Sequence, residues 1–346
     1  MPQISRISHI DSLRGVAVLL MVMVHAAATW NPFEGAQSSI LAYTISGLGG
    51  LAAPLFVTLF GWGMYRSNLN IKQRIFYCSA LIISQILVNL SSPQLFNPLT
   101  PGILSLMAIL VLLMPLFNLL ISKYQDKSFL ISCAVLFLLQ LTYPQLQGNG
   151  QWSDRVSSDN ISTIFSNLFF KGTYPLFPWF IFSLFGALIS SKYDETNNLT
   201  LTKSGVATIV LGLLFCLTTF LIAQYNGDLW AHPSSEAYLT FFPANPPFIV
   251  AGITGVMLLW IAIKRFELTI LTSLGRISLT IYIVHFIPLT LMYDFESKYD
   301  WSLEISAFVT VVYTMIWIPA SALWLKLLPR ANAESIIKSI RESLFS

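Results

Sequence analysis

Along this chain the apolar residues neither alternate with polar ones, as in a half-buried strand, nor form a one-sided stripe, as on a surface helix. They come in blocks of roughly 20 residues, the length a helix needs to cross about 30 Å of hydrocarbon. Such blocks lie at 13–30, 42–65, 74–91, 102–121, 128–143, 174–190, 205–224, 246–263, 270–292 and 304–325. The pattern predicts an all-α polytopic integral membrane protein with about ten transmembrane helices. Block 128–143 is short and predicts little tilt. Block 42–65 carries Gly47, Gly49, Gly50 and Pro54, which predicts a broken or re-entrant path. Arg14 and His25 sit inside the first block and no small-x-small cleavage site ends it, so it is expected to stay as a span.

Composition agrees: 55% of the residues are hydrophobic and 10% charged, where a soluble domain has roughly a quarter of its residues charged. The net charge of +3 excludes little, but its distribution sets an orientation. With ten crossings and an inside N-terminus, every Lys and Arg except Arg155, Lys171 and Lys298 falls on the cytoplasmic side. An odd number of crossings spoils that division, so both termini are expected in the cytoplasm. Residues 1–330 form one membrane domain with no soluble insertion. The tail 331–346, with Ile336, Ile337, Ile340 and Leu344 at helical spacing, reads as an amphipathic helix on the inner leaflet. Cys78, Cys133 and Cys216 lie far apart within spans, as small buried side chains rather than a disulfide or metal set.

Ionisable groups within a membrane are costly, and each is a functional candidate. Arg14 stands at the cytoplasmic entrance of the first span and His25 eleven residues on, about 16 Å along the axis at 1.5 Å per residue. Eleven steps return to within about 20° of the starting azimuth, so the two share a face. A guanidinium at the inner mouth suits a phosphate, and an imidazole deeper in suits a general base. The plainer readings are a positive-inside anchor and a helix–helix hydrogen bond. In the ninth span, Leu274-Gly275-Arg276-Ile277-Ser278-Leu279-Thr280-Ile281-Tyr282-Ile283-Val284-His285 again places an arginine near the inner mouth and a histidine deeper. On a straight helix, nine steps put Arg276 and His285 on opposite faces, whereas Tyr282 and His285 share one. Tyr174 to Trp179 and Phe242 to Pro247 open two further spans with prolines, ordinary at helix starts. The outer loops 144–173 and 225–245 carry Trp152, Asp154, Asp159, Trp230, His232 and Glu236, a mix that suits either a sugar-like acceptor or an interfacial belt.

The segment His9 to Gly15 followed by His25 resembles the Arg-x10-His signature of the membrane-bound acyltransferase-3 family. Ala52-Ala53-Pro54-Leu55-Phe56-Val57 leading to Gly61, then Tyr174 to Trp179 and Pro246-Pro247, resemble the heparan-alpha-glucosaminide N-acetyltransferase catalytic domain and its bacterial relatives. The stretch from Leu274 to His285 resembles both, and the two families are related within the transmembrane acyltransferase superfamily. The lysosomal members carry Asn at the position of His25 and a further His in the following loop, where Ala26 to Gln37 have none. The departure leaves both histidines as catalytic candidates; the face shared with Arg14 ranks His25 first and His285 second.

The resemblance implies transfer of an acyl group, commonly acetyl, from cytoplasmic acyl-CoA to a hydroxyl or amine of an extracytoplasmic carbohydrate. Arg14, Arg276 and Arg66 would hold the CoA phosphates, and no metal is called for. The implied partners are the lipid bilayer, a glycan or small sugar acceptor and, as a homo-oligomer, a further copy of the chain; nucleic acid is not among them. The expected location is a bacterial cytoplasmic membrane. Two rival readings stand beside this one: a transporter or flippase of an anionic solute, and a relative without catalytic activity.

Overall fold

A computed structural model describes residues 7–31, 40–193, 203–233, 237–266 and 268–345; Arg6 and Glu236 lie outside the described residues. Helix α1 (Ser8–Thr29) leads to α2 (Ile40–Gly50), α3 (Ala52–Tyr65), α4 (Ile71–Ser91), α5 (Ile103–Tyr124) and α6 (Asp126–Thr142). Two short helices, α7 (Trp152–Val156) and α8 (Ile161–Ser166), fold up the segment before α9 (Leu176–Ser191). After α10 (Lys203–Asn226), strands β1 (Ala231–His232) and β2 (Leu239–Thr240) pair in parallel ahead of α11 (Pro246–Phe266). The remainder comprises α12 (Thr272–Arg276), α13 (Ser278–Val284), α14 (Phe286–Leu291), α15 (Phe295–Lys298), α16 (Leu303–Leu327) and α17 (Ala333–Phe345).

The chain is an all-α polytopic membrane protein. Among the described residues, 8 helical segments are long and apolar enough to cross a bilayer, and a ninth arises if Ile161–Lys171 and Leu176–Ser191, bent by 48°, form one span. The expected span at 128–143 corresponds to α6, whose 17 residues make about 25 Å of helix, at the short end for crossing. Outward-facing Ile83, Leu214, Phe308 and Ile316 are exposed, as a surface solvated by lipid requires. α9 forms the middle of the bundle, with every residue from Ile181 to Ser190 buried.

Without a hydrophobic drive between helices inside lipid, their association depends on close packing at small residues. Two reciprocal glycine contacts supply it. A Cβ on Gly61 of α3 would lie 2.0 Å from the Ser183 carbonyl oxygen of α9, and one on Gly186 of α9 would lie 1.9 Å from that of Thr58 on α3. Between α1 and α12, a Cβ on Gly275 would meet the Asp11 oxygen at 1.9 Å, and one on Gly15 the Leu271 oxygen at 2.3 Å. The two glycines beside Arg14 and Arg276 thus seat one helix backbone on the other. Ser12 adds a hydrogen bond from Oγ to the Leu268 carbonyl at 3.0 Å.

The expected break in the second span falls at Leu51, between α2 and α3. Pro54 has no N–H to give the Gly50 carbonyl four residues back, which interrupts the ladder there. Gly47–Tyr65 nevertheless continues as one apolar stretch of 19 residues. The ninth span departs further from expectation. Ile277 adopts φ −123° and ψ 36°, ending α12, so the straight-helix argument that set Arg276 and His285 on opposite faces does not apply. The chain restarts as α13 and turns again at His285 into α14.

Candidate functional site

α1 is unbroken from Ser8 to Thr29, so the eleven-residue spacing keeps Arg14 and His25 on one side of it. At the His25 end, α1 meets the joint between α13 and α14. His25 Nδ1 and His285 Nε2 lie 2.8 Å apart, and the rings stack with centroids 5.1 Å apart. His285 is completely buried, whereas His25 keeps part of its surface accessible.

The surrounding bonds select one tautomer for each ring. His285 Nδ1 lies 2.9 Å from the Ile281 carbonyl and 3.0 Å from that of Tyr282. A carbonyl only accepts, so Nδ1 carries the proton and donates. A neutral His285 then has a lone pair on Nε2, and His25 must donate from Nδ1. His25 Nε2 is left as a lone pair with no hydrogen-bond partner among the described residues. The pair is a base held in one orientation by a second imidazole, itself held by backbone oxygens.

Several side chains fix this joint. Tyr313 of α16 donates its hydroxyl to the His285 carbonyl, and Trp30, just past α1, donates Nε1 to the Met292 carbonyl at 3.0 Å. Trp30 and Tyr313 meet edge to face at 5.4 Å. Phe286 packs on His25 at 4.7 Å. From Phe286 an aromatic succession runs to Phe96 at 6.1 Å, Trp152 at 5.8 Å and Phe242 at 5.6 Å, linking the histidines to the loops 144–173 and 225–245. Arg155 braces the first loop: its guanidinium donates to the carbonyls of Lys171, Gly172, Gln147 and Asn149. Burial pulls its pKa down to about 10, against an opposing pull from Asp154.

At the other end of α1, Arg14 Nη1 donates to Asp11 Oδ1 at 3.0 Å, with 34% of the arginine side chain exposed. Arg14 Nη2 comes within 3.9 Å of where a side chain on Gly63 would begin. Three residues along α3, the Arg66 guanidinium lies 5.0 Å from the centre of the Trp62 ring. Trp62 in turn meets Tyr193 at 5.7 Å, and Tyr193 Oη bonds Trp260 Nε1 at 2.7 Å and His9 Nε2 at 3.0 Å. Trp62 Nε1 and Ser190 Oγ are buried and have no hydrogen-bond partner among the described residues. Arg276 is exposed, directly after the glycine seated on Asp11.

The structure therefore brings His25 and His285 together and sets Arg14 and Arg66 around one end of α3. Arg276 stands on the neighbouring α12. Hydropathy and spacing did not single out Tyr313, Trp30, Phe286, Tyr193 or Trp260. Their roles depend on contacts between helices remote in sequence, and each looks on its own like an ordinary membrane aromatic.

The family profile described as an acyltransferase domain, acyltransferase-3, matches residues 7–324. The chain belongs to the acyltransferase-3 family. The match covers nearly all the membrane helices, including both histidines and all three candidate arginines. It carries a membrane acyltransferase rather than a solute transporter. No curated protein matches the sequence significantly. As an acyltransferase-3 protein, the chain needs a group that takes a proton from an acceptor or carries the acyl group, and a place for the donor. The histidine pair and the arginine end of α1 are the candidates for these roles.

Proposed function

We propose that this acyltransferase moves an acyl group, acetyl in the simplest case, from acyl-CoA on the cytoplasmic side to a hydroxyl or amine of an extracytoplasmic carbohydrate. The observation that carries the reading is the His25–His285 hydrogen bond, with the tautomers that leave His25 Nε2 as a lone pair. In direct transfer, Nε2 takes the acceptor's proton as its oxygen or nitrogen bonds to the acyl carbon. The thioester C–S bond then breaks, and the CoA sulfur leaves with the proton returned from His25. In the alternative order, Nε2 attacks the acyl carbon, the C–S bond breaks and CoA leaves as the thiolate; the acceptor then bonds to the acyl carbon as the N–C bond breaks, and its proton passes by way of the freed Nε2 to the thiolate. Both routes put positive charge on His25. The lone pair of His285 stabilises that charge through the Nδ1–H bond.

Arg14, Arg66 and Arg276 would bind the donor phosphates. The Arg66 guanidinium over the Trp62 ring, with Arg14 near Gly63, suits an anionic ligand. The eleven-residue rise from Arg14 to His25, about 16 Å, suits a donor whose phosphates stay at the mouth while its thioester reaches inward. The carbohydrate acceptor is supported by Trp152, exposed along the aromatic succession that starts at Phe286 and of the kind that stacks on sugar rings, and by the resemblance of the Ala52–Val57 and Tyr174–Trp179 segments to heparan-alpha-glucosaminide N-acetyltransferases.

The test is release of free thiol from acetyl-CoA by the purified protein in detergent, across a panel of mono- and oligosaccharides. The reading expects acceptor-dependent release that His25→Ala abolishes while CoA binding persists. Release that survives His25→Ala at the wild-type rate contradicts it.

A further inference from the structure

The helix that carries His285 begins at a break. Ile277 is not helical, so the first amides of α13 have no carbonyl one turn back, and no side chain of α13 itself caps them. The cap comes from the C-terminal tail. Glu334 Oε1 accepts from the Leu279 amide at 2.7 Å and the Thr280 amide at 3.4 Å, and Oε2 accepts from the Thr280 hydroxyl at 2.6 Å. Thr280 answers by accepting from the Ala333 amide at 2.9 Å.

Glu334 is itself held in place. Asn332 caps the start of α17 through the Ser335 amide at 2.9 Å, and Trp324 of α16 donates to the Ala331 carbonyl at 2.9 Å. Further along α17, Arg341 donates to Tyr77 Oη of α4 at 3.1 Å, and Phe345 meets Phe76 at 6.0 Å. The docked face of α17 is thus the one bearing Glu334, Arg341 and Phe345. Ile336, Ile340 and Leu344 are exposed.

α13 is only 7 residues long, so anchoring its first turn sets its last. That last turn holds the Ile281 and Tyr282 carbonyls, which accept from His285 Nδ1 and thereby keep Nε2 as the acceptor for His25. We propose that Glu334 is a positioning residue: by capping α13 from the tail it holds His285 in register with His25, so that docking of the tail helix completes the histidine pair. A carboxylate suits the task, since it supplies two acceptor atoms to a helix N-terminus whose dipole favours negative charge.

The consequence for turnover rests on reading His25 as the base; the cap itself does not. The full-length protein in detergent is compared with Glu334→Ala, Glu334→Gln, Thr280→Val and Thr280→Ser. Amide hydrogen exchange across 278–286 should accelerate about tenfold or more in Glu334→Ala, the loss expected for a strong cap, while exchange in the middle of α1 stays unchanged. In the thiol-release assay kcat should fall about tenfold with KM for acetyl-CoA within about twofold, the pattern of a lost orientation rather than a lost donor site. Thr280→Ser, which keeps the hydroxyl, should retain both wild-type behaviours, and Thr280→Val should follow Glu334→Gln towards loss. Unchanged exchange across 278–286 in Glu334→Ala overturns the proposal, as does loosened exchange with full kcat. Rapid exchange of the Leu279 and Thr280 amides in the wild-type protein overturns it too, whether or not the variants fold. Should the wild type release no thiol with any acceptor, the functional reading fails, and the exchange measurements still decide the cap.

Discussion

Replacing His285 with alanine separates the two histidines by role. His285 Nε2 accepts the Nδ1–H of His25 at 2.8 Å, and that bond becomes charge-assisted once His25 takes a proton. Hydrogen bonds to charged groups contribute about 1.5–3 kcal/mol, so at about 1.4 kcal/mol per factor of ten the loss is roughly 10- to 100-fold in kcat. His25→Ala removes the base itself and should cost about 10² to 10⁴. Because His285 acts only through His25, the double variant should be no slower than His25→Ala alone, a non-additivity expected of residues that act as one unit. The assay is initial-rate thiol release by each purified variant, with thermal unfolding in detergent as the check that the cavity left by His285→Ala has not melted α13. The reasoning is refuted if the two losses multiply in the double variant, or if His285→Ala is dead while His25→Ala remains active. The latter result would move the chemistry from α1 to α13.

Three other outcomes follow from particular contacts. Gly186→Ala forces a Cβ to 1.9 Å from the Thr58 oxygen; overpacking of this kind costs about 1–3 kcal/mol and should lower the unfolding temperature in detergent, whereas Gly47→Ala, with nothing within 4 Å of its Cβ, should not. Arg14→Ala removes a charge-assisted phosphate contact and should weaken acetyl-CoA binding about tenfold or more, measured by calorimetry, with an unchanged affinity assigning Arg14 to anchoring instead. In a cysteine-free background, an impermeant thiol reagent added outside intact cells should label Asp159→Cys and not Asn68→Cys, both exposed positions; the reverse pattern would invert the orientation inferred from the basic residues.

Much of the fold was legible because a bilayer leaves few options: blocks of apolar residues become helices, and Pro54 marks where one ladder is interrupted. The break at Ile277 was not legible, since neither a proline nor a glycine stands at that position. It arises where α12 is seated on α1 and α13 is capped from a segment more than fifty positions later. For the site, spacing along one helix puts Arg14 and His25 on one face, and α1 is continuous over both. It could not associate His25 with His285, 260 positions apart, because hydropathy records how deep a helix lies and not which helix it touches. Spacing placed Arg276 near one end of its span but could not bring it beside Arg14, on another helix. Arg276 follows a glycine whose Cα abuts Asp11, the partner of Arg14. Glu334 gave no signal because a carboxylate in an amphipathic tail looks solvated until the end of α13 is set against it.

The central claim, that one protein carries an acyl group from a donor on one side of the membrane to an acceptor on the other, is tested most directly in proteoliposomes. Radiolabelled acetyl-CoA is enclosed in the lumen of vesicles bearing the purified protein, and an impermeant saccharide acceptor is added outside. The account predicts labelled saccharide in the outer medium for protein inserted with its Arg14 end towards the lumen, and none with His25→Ala. Label confined to the lumen under every acceptor tried, or equal transfer by His25→Ala, would contradict it.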